Sequence, residues 1–455
     1  MLKMVAKTLV GNDEPPADTK RDLDNVEPSL KTRLAILGHV REFIKAKGRV
    51  VQGGMATDAN LRKVGHQGIY DENTIPDYDF YTPAADEDSV ELANILAEKG
   101  YKYIYRAQAI HSTTLKIRTE FVDWVADITY MPAKLYDKLP TIEEDGIKYI
   151  EASYLRIDMY LVLCNVCSYF AVAKNYMRLK LFDSLIPEMR HIGADSDKMH
   201  SIDAKLIGKM TDALAKVPYF LVGLAAVNLI CSETLDVPYL EIVSKKGAAC
   251  ASALLSLLSK ERPSMKFEVT HYGSTLDHFY ATRVVSADGV PMVYIYKPNA
   301  KASFTIGEVR GVTVGSYFTV MYYLYVRRHY SENKGRPHEG ILTLRSKRAA
   351  LLRAGKIREF GGTDKIFSLL PEGVYCVNEI IDNCWVAETF TVKKWRQGDP
   401  VEKVTFPNMT GRVIAPIENN GGPKESRETG GEKRSRRRVH VHAKQRKGRK
   451  GRVTS

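Results

Sequence analysis

From Ser29 onward the apolar positions take helical spacing. Leu30, Leu34, Leu37 and Ile44 fall on one face, with Ser29 placed to cap the start and Gly48 the end. The run Arg49–Gln52 predicts a short strand, and Gly53-Gly54 follows it directly. Met55–Arg62 predicts a helix, Lys63–Pro76 a polar loop, Asp77–Tyr81 a strand, and Asp86–Lys99 a helix ended by Gly100. Tyr101–Arg106, Ser112–Arg118 and Glu120–Thr129 are rich in β-branched and aromatic residues and predict strands. Helix, strand, glycine pair, helix, strand, helix and further strands is the pattern of a compact α/β unit.

Residues 151–259 are expected to be largely helical, most clearly Leu155–Leu181, Ile202–Val217 and Gly247–Leu258. After Lys266 strands return. Phe279–Val285 and Val290–Tyr296 flank Asp288-Gly289, a hairpin signal because a primed turn needs positive φ. A helix is expected near Ser316–Arg328 and mixed structure as far as Pro416. Residues 1–28 form a polar leader with Pro15, Pro16 and Pro28. Asn419–Ser455 has almost no apolar residue to bury against its ordering entropy, so disorder is expected there. The partition expected is thus 1–28, 29–190, 191–418 and 419–455, with no tandem repeat of 20–50 residues.

Composition narrows the class. A chain of 455 residues with 44% hydrophobic and 27% charged residues is ordinary for a soluble protein of two or three domains. The most apolar stretches, Met159–Ala173 and Val217–Cys231, reach 15 residues and carry polar positions, short of the ~18 that a membrane span needs. The start lacks an uninterrupted apolar core, so no secretory signal is expected. Net charge is +13, and ten of those charges belong to Asn419–Ser455, where 13 Lys and Arg meet 3 Glu. The six cysteines include a Cys164/Cys167 pair in an apolar helical stretch without a second pair at zinc spacing, so buried thiols in a reducing compartment are expected.

The chemistry concentrates in VVQGGMATDANLRKVGHQGIYDENTIPDYDFYTP. Asp77 and Asp79 stand two apart on an expected strand, so both project from one face. Adjacent carboxylates repel, and a hard divalent cation between them removes the repulsion. Gly53 and Gly54 let backbone amides approach a phosphate, and the next helix N-terminus adds a positive dipole end. Asp127 in FVDWVADITYMP offers a third carboxylate, with Asp123 as its rival on the same parity. Of four Asp-x-Asp pairs, at 22/24, 77/79, 86/88 and 195/197, only the second lies among β-formers behind a glycine pair. Three carboxylates on neighbouring strands would make a two-metal site, one ion clamping a triphosphate and the other activating a hydroxyl.

GG, DYDFYTP, VADITYMPAKLYDKLPT and YLRIDMY followed by a Lys-x-x-x-Arg helix resemble the poly(A) polymerase catalytic subunits of large nucleocytoplasmic DNA viruses. These belong to the DNA polymerase β-like nucleotidyltransferase superfamily. The resemblance covers roughly residues 48–190 and implies an α+β fold: a nucleotidyltransferase domain, a helical segment and a second α+β domain. It maps the metal triad onto Asp77, Asp79 and Asp127, the glycine turn onto Gly53 and Gly54, and triphosphate contacts onto Lys174 and Arg178. The 23 positions from Gly54 to Asp77 exceed the spacing in many members of the superfamily, so Lys63–Pro76 reads as an insertion. VTHYGSTLDHFYATRVVSADGVPMVYIYKP resembles a degenerate second copy, with Gly273-Ser274 as its turn and VYIYKP where carboxylates would be needed.

The implied activity is template-independent addition of adenylate from ATP to mRNA 3′ ends, with two Mg²⁺ or Mn²⁺ ions. The implied setting is the host cytoplasm or the virion. The implied partners are RNA, ATP and either a second copy or a second viral subunit, with no membrane. The tail cations Lys433, Arg434, Arg436, Arg437, Arg438, Lys444, Arg446, Lys447, Arg449, Lys450 and Arg452 suit a phosphate backbone or a nuclear-localisation signal. The alternatives left open are a nucleotidyltransferase acting on tRNA or a small molecule, and a catalytically idle RNA-binding protein.

Overall fold

In the computed structural model the chain divides between Glu418 and Asn419. The structure describes residues 30–70, 76–109, 113–119, 125–165, 168, 171–187, 200–271, 281–297, 303–330, 335–359, 364, 366–367, 385–386, 404–405 and 413–414. The polar leader, Asp123, Gly273, Ser274 and all the tail cations named above lie outside the described residues.

The first layer begins with α1 (Leu30–Lys47), β1 (Val50–Gln52), α2 (Gly53–Lys63), β2 (Tyr78–Thr82) and α3 (Ala85–Glu98). It continues through β3 (Tyr105–Gln108), β4 (Thr114–Arg118), β5 (Ala126–Tyr130), α4 (Ala133–Tyr136), β6 (Thr141–Glu144), β7 (Ile147–Ile150) and α5 (Ala152–Cys164). Its seven strands run in the order β3-β4-β5-β2-β1-β7-β6. Alternation decides which residues face the core. Phe80 on β2 and Ile128 on β5 are fully buried, which turns Asp79 and Asp127 to the opposite face. The acidic residues Asp86, Glu87 and Asp88 in the first turn of α3 complement its positive end.

Then come α6 (Val172–Leu185) and α7 (Ala204–Ala213), followed by β8 (Phe220–Val222), α8 (Gly223–Cys231), β9 (Leu240–Val243) and α9 (Gly247–Glu261). After these come β10 (Phe267–His271), β11 (Ala281–Ala287), β12 (Val290–Tyr296), β13 (Ser303–Phe304), β14 (Ile306–Val309), β15 (Val312–Gly315), α10 (Tyr317–Tyr330) and α11 (Gly335–Arg353). The second sheet runs β10-β11-β12-β9-β8-β15-β14.

This is the first sheet again, strand for strand. β8 lies antiparallel to β9 and parallel to β15, as β1 lies antiparallel to β2 and parallel to β7. β9 lies parallel to β12 as β2 does to β5. The helix before the first strand, the helix after the glycine and the helix after the last central strand recur as well. The degenerate second copy expected from the sequence is therefore a full repeat, but its turn is Gly223 behind β8 and not Gly273-Ser274. The expected position failed because VPYFLVGLAAVN is apolar as far as Val227 and carries no polar residue beside Gly223 to mark a turn.

The long helix expected over Leu155–Leu181 is two helices, α5 and α6. The break has a tertiary cause. The amide of Thr305 takes the carbonyl of Cys164 at 2.9 Å, and Asn165 bridges Phe304, so the chain leaves the helix to meet β13. α5 and α10 pack against each other through Tyr160, which stacks on Tyr325 at 5.3 Å. Cys164, Cys231 and Cys250 are buried thiols that form no disulfide. Among the described residues no helix is long and apolar enough to cross a membrane.

Candidate active site

β1 delivers the chain to Gly53, whose φ of +62° is the left-handed region that glycine tolerates. A second constraint also demands glycine: an added Cβ would lie 3.0 Å from Cγ of Asp79. The carboxylate of Asp79 is thus pressed against the turn. Helix α2 starts at Gly53 itself, two residues earlier than expected, with Thr57 Oγ1 donating to the Gly53 carbonyl at 2.8 Å. Gly54 is equally confined, since a Cβ there would meet the Tyr70 hydroxyl and stand 3.1 Å from Nη2 of Arg178.

Asp79 and Asp127 are direct partners in the parallel β2–β5 register. Strand β2 begins at Tyr78, so Asp77 stands one residue before the strand and not within it as expected. It stays within electrostatic reach. Burial first, then the charges of Asp77 and Asp127, push the Asp79 carboxyl well above the ordinary carboxylate range, while Lys116 and Lys174 pull it down. Asp127 is also raised, mainly by burial, against the pull of Lys116, whose Nζ lies 3.4 Å from Asp127 Oδ1.

Helix α6 brings both expected cations to the site. Arg178 Nη2 donates to Tyr70 Oη at 3.5 Å above Gly54, and Lys174 is felt by Asp79. Two residues here were not singled out in the sequence. Tyr70 is held over the turn because Asp58 accepts the amides of Ile69 at 2.6 Å and Tyr70 at 3.1 Å. Lys116 faces Asp127 across the β4–β5 register. Neither sits in a motif, and only strand pairing and loop anchoring bring them in. Asn60 fixes the frame: its side chain donates to the Ile150 carbonyl at 2.8 Å and accepts from the Ala152 amide at 2.9 Å, tying α2 to the start of α5.

The donor set suits a hard divalent cation. It consists of oxygen ligands whose mutual repulsion a cation would relieve, behind a glycine that admits no side chain. Among the described residues no three His, Cys, Asp or Glu side chains are drawn into a ready-made cage, so the arrangement is one of facing strands and not a closed cup.

Residues 38–168 match the family model described as the poly(A) polymerase catalytic subunit. The resemblance therefore holds for the first sheet. A putative poly(A) polymerase catalytic subunit of African swine fever virus (a Malawi tick isolate) is 43% identical over 130 residues, 29% of this chain. The counterpart in Acanthamoeba polyphaga mimivirus is 37% identical over 141 residues, 31% of this chain. These stretches span 27% and 24% of the two viral proteins, so the chain matches about a quarter of their length. The crystal structure of the Megavirus polyadenylate synthase aligns with a TM-score of 0.61 at 21% identity. It covers 81% of this chain and 82% of that one, so the likeness in fold extends beyond the matched domain. The α+β fold is the one expected, and the chain shares it with that structure.

Proposed function

We propose that the chain is a polynucleotide adenylyltransferase that moves AMP from ATP to an RNA 3′-hydroxyl without a template. The observation that carries this is the register of Asp79 with Asp127 behind Gly53, with Arg178 and Tyr70 over Gly54. Asp77, Asp79 and Asp127 would hold divalent ions. Bound there, such ions supply charge neutralisation at the triphosphate and a lowered pKa for the attacking hydroxyl. Arg178 and Lys174 orient the triphosphate, Tyr70 adds a hydroxyl donor beside Arg178, and the glycine backbone leaves room for close approach. The 3′-oxygen bonds to the α-phosphorus as the bond to the bridging oxygen breaks, and pyrophosphate leaves. Positioning and electrostatics carry such a transfer, so no protein nucleophile is needed. The tail cations would hold the RNA backbone.

The test incubates the full chain with Mg²⁺, an end-labelled RNA primer and each nucleoside triphosphate separately, beside tRNA and an aminoglycoside. Extension of the primer with ATP, lost in Asp77→Ala and Asp79→Ala proteins of unchanged circular dichroism, is expected. Transfer only to tRNA or to the small molecule, or wild-type rates in either variant, would overturn the reading.

A further inference from the structure

The repeat places particular residues opposite the triad. In the first sheet Gln52 pairs with Asp79, and Asp79 with Asp127. In the second Val222 pairs with Glu241, and Glu241 with Tyr294. Glu241 therefore corresponds to Asp79, Tyr294 to Asp127, and Tyr239, two residues before Glu241, to Asp77. The turn corresponds too. Gly223 has φ +66°, and an added Cβ would lie 2.7 Å from Cδ of Glu241, as one on Gly53 would crowd Asp79. Both repeats set an acid behind a left-handed glycine, and the second has tyrosines at the two positions where the first has carboxylates.

Arg327, from α10, reaches this point. Its Nε lies 3.2 Å from Glu241 Oε1, and its guanidinium sits 3.3 Å from the Tyr294 ring centroid and 5.1 Å from that of Tyr239. The Tyr296 hydroxyl donates to the same Glu241 oxygen at 2.8 Å. Glu241 is 2% exposed and Arg327 8%. All three positions that correspond to the triad thus face one guanidinium, one by ion pair and two by ring faces, whose negative quadrupole attracts a cation. The neighbouring space is filled as well. Gly54 corresponds to Leu224, and a Cβ on Gly340 of α11 would come within 2.8 Å of Leu224, so α11 packs directly on the position that follows the second glycine turn.

We infer that Arg327 holds, in the second repeat, the place that a divalent cation would take in the first, so that this sheet carries a copy of the site with its own internal cation. The inference rests on the metal-binding reading of Asp77, Asp79 and Asp127. Its consequence is a difference in sign between corresponding residues. Without metal, Asp79 is a repelled acid, and its neutralisation relieves the fold. Glu241 is a paired acid, and its neutralisation strands a buried guanidinium.

The experiment is thermal unfolding of the full chain in chelator and then with Mn²⁺. In chelator, Asp79→Asn should melt higher than wild type and Glu241→Gln several degrees lower. Arg327→Met should also melt lower, and the double variant Glu241→Gln/Arg327→Met should recover most of either loss. Glu241→Gln melting like Asp79→Asn, or a double variant no better than its worse single, would overturn the inference. The Mn²⁺ arm reports separately on the first site. Mn²⁺ should raise the melting temperature of wild type and of the double variant alike, and leave Asp79→Asn unmoved. A Mn²⁺ shift that survives Asp79→Asn would sink the metal-binding reading, whatever the chelator arm shows.

Discussion

Tyr70 places its hydroxyl over the glycine turn, and Arg178 approaches that hydroxyl at 3.5 Å. Tyr70→Phe keeps the ring that packs the loop and removes one donor to a charged phosphate. Steady-state kinetics should show KM for ATP raised by about 10-fold, with kcat little changed and the melting temperature unmoved. An unchanged KM would make Tyr70 a loop anchor only. Asp127 is preferred over Asp123 as the third carboxylate, and its register with Asp79 supports that preference. Asp127→Asn should reduce single-turnover transfer far more than Asp123→Asn, and the reverse order would move the third ligand. Asp79 and Asp127 were legible because alternation along a strand is local, whereas Asp77 stands one residue ahead of β2. Tyr70 was not legible, since its place depends on two amides meeting Asp58.

At the scale of elements, α5 is the helix that both repeats hold. It lies against α2 and α10, and it reaches β2 through Asp158, whose Oδ2 accepts from Tyr81 Oη at 3.0 Å. Burial pushes the Asp158 carboxyl up to about 6, the Tyr81 bond opposing. Unfolded, the group titrates near 3.9. The folded chain therefore binds the proton more tightly, and stability falls as pH rises from about 4 through about 6. Asp158→Asn keeps an acceptor for Tyr81 and carries no charge. Urea unfolding should find the variant more stable than wild type by about 3 kcal/mol at pH 7, with the difference nearly gone at pH 4. Equal destabilisation at both pH values would show that the carboxylate helps the α5–β2 contact. The hairpin at Asp288-Gly289 was legible because positive φ at both residues, +50° and +79°, is a local demand. The end of α5 was not, because the residues that stop it, Phe304 and Thr305, belong to another element.

For the whole molecule, charge is the quantity that acts at a distance. Ten of the thirteen net charges belong to Asn419–Ser455. Removing residues 420–455 should weaken RNA binding and flatten its dependence on salt. The log–log slope should fall by about 0.7 for each single-strand phosphate that the tail no longer neutralises. Transfer to saturating short primers should be unchanged, since Asp77, Asp79 and Asp127 are untouched. Filter-binding titrations at several salt concentrations decide this, and equal slopes would leave the tail to the localisation-signal reading.

What the sequence determined by itself is whatever depends on neighbours along the chain. The glycine pair, the acids two apart, the cationic helix face and the primed hairpin each follow from backbone sterics or element periodicity within a few residues. The tertiary structure decided the rest. It set Asp79 opposite Asp127, brought Tyr70 and Lys116 to them, and set the second glycine turn at Gly223. It also joined Glu241 to Arg327 from a distant helix. Glu241 in an apolar strand carries no local sign of its partner. A buried acid needs a counter-charge, but only sheet register and helix packing determine which residue supplies it.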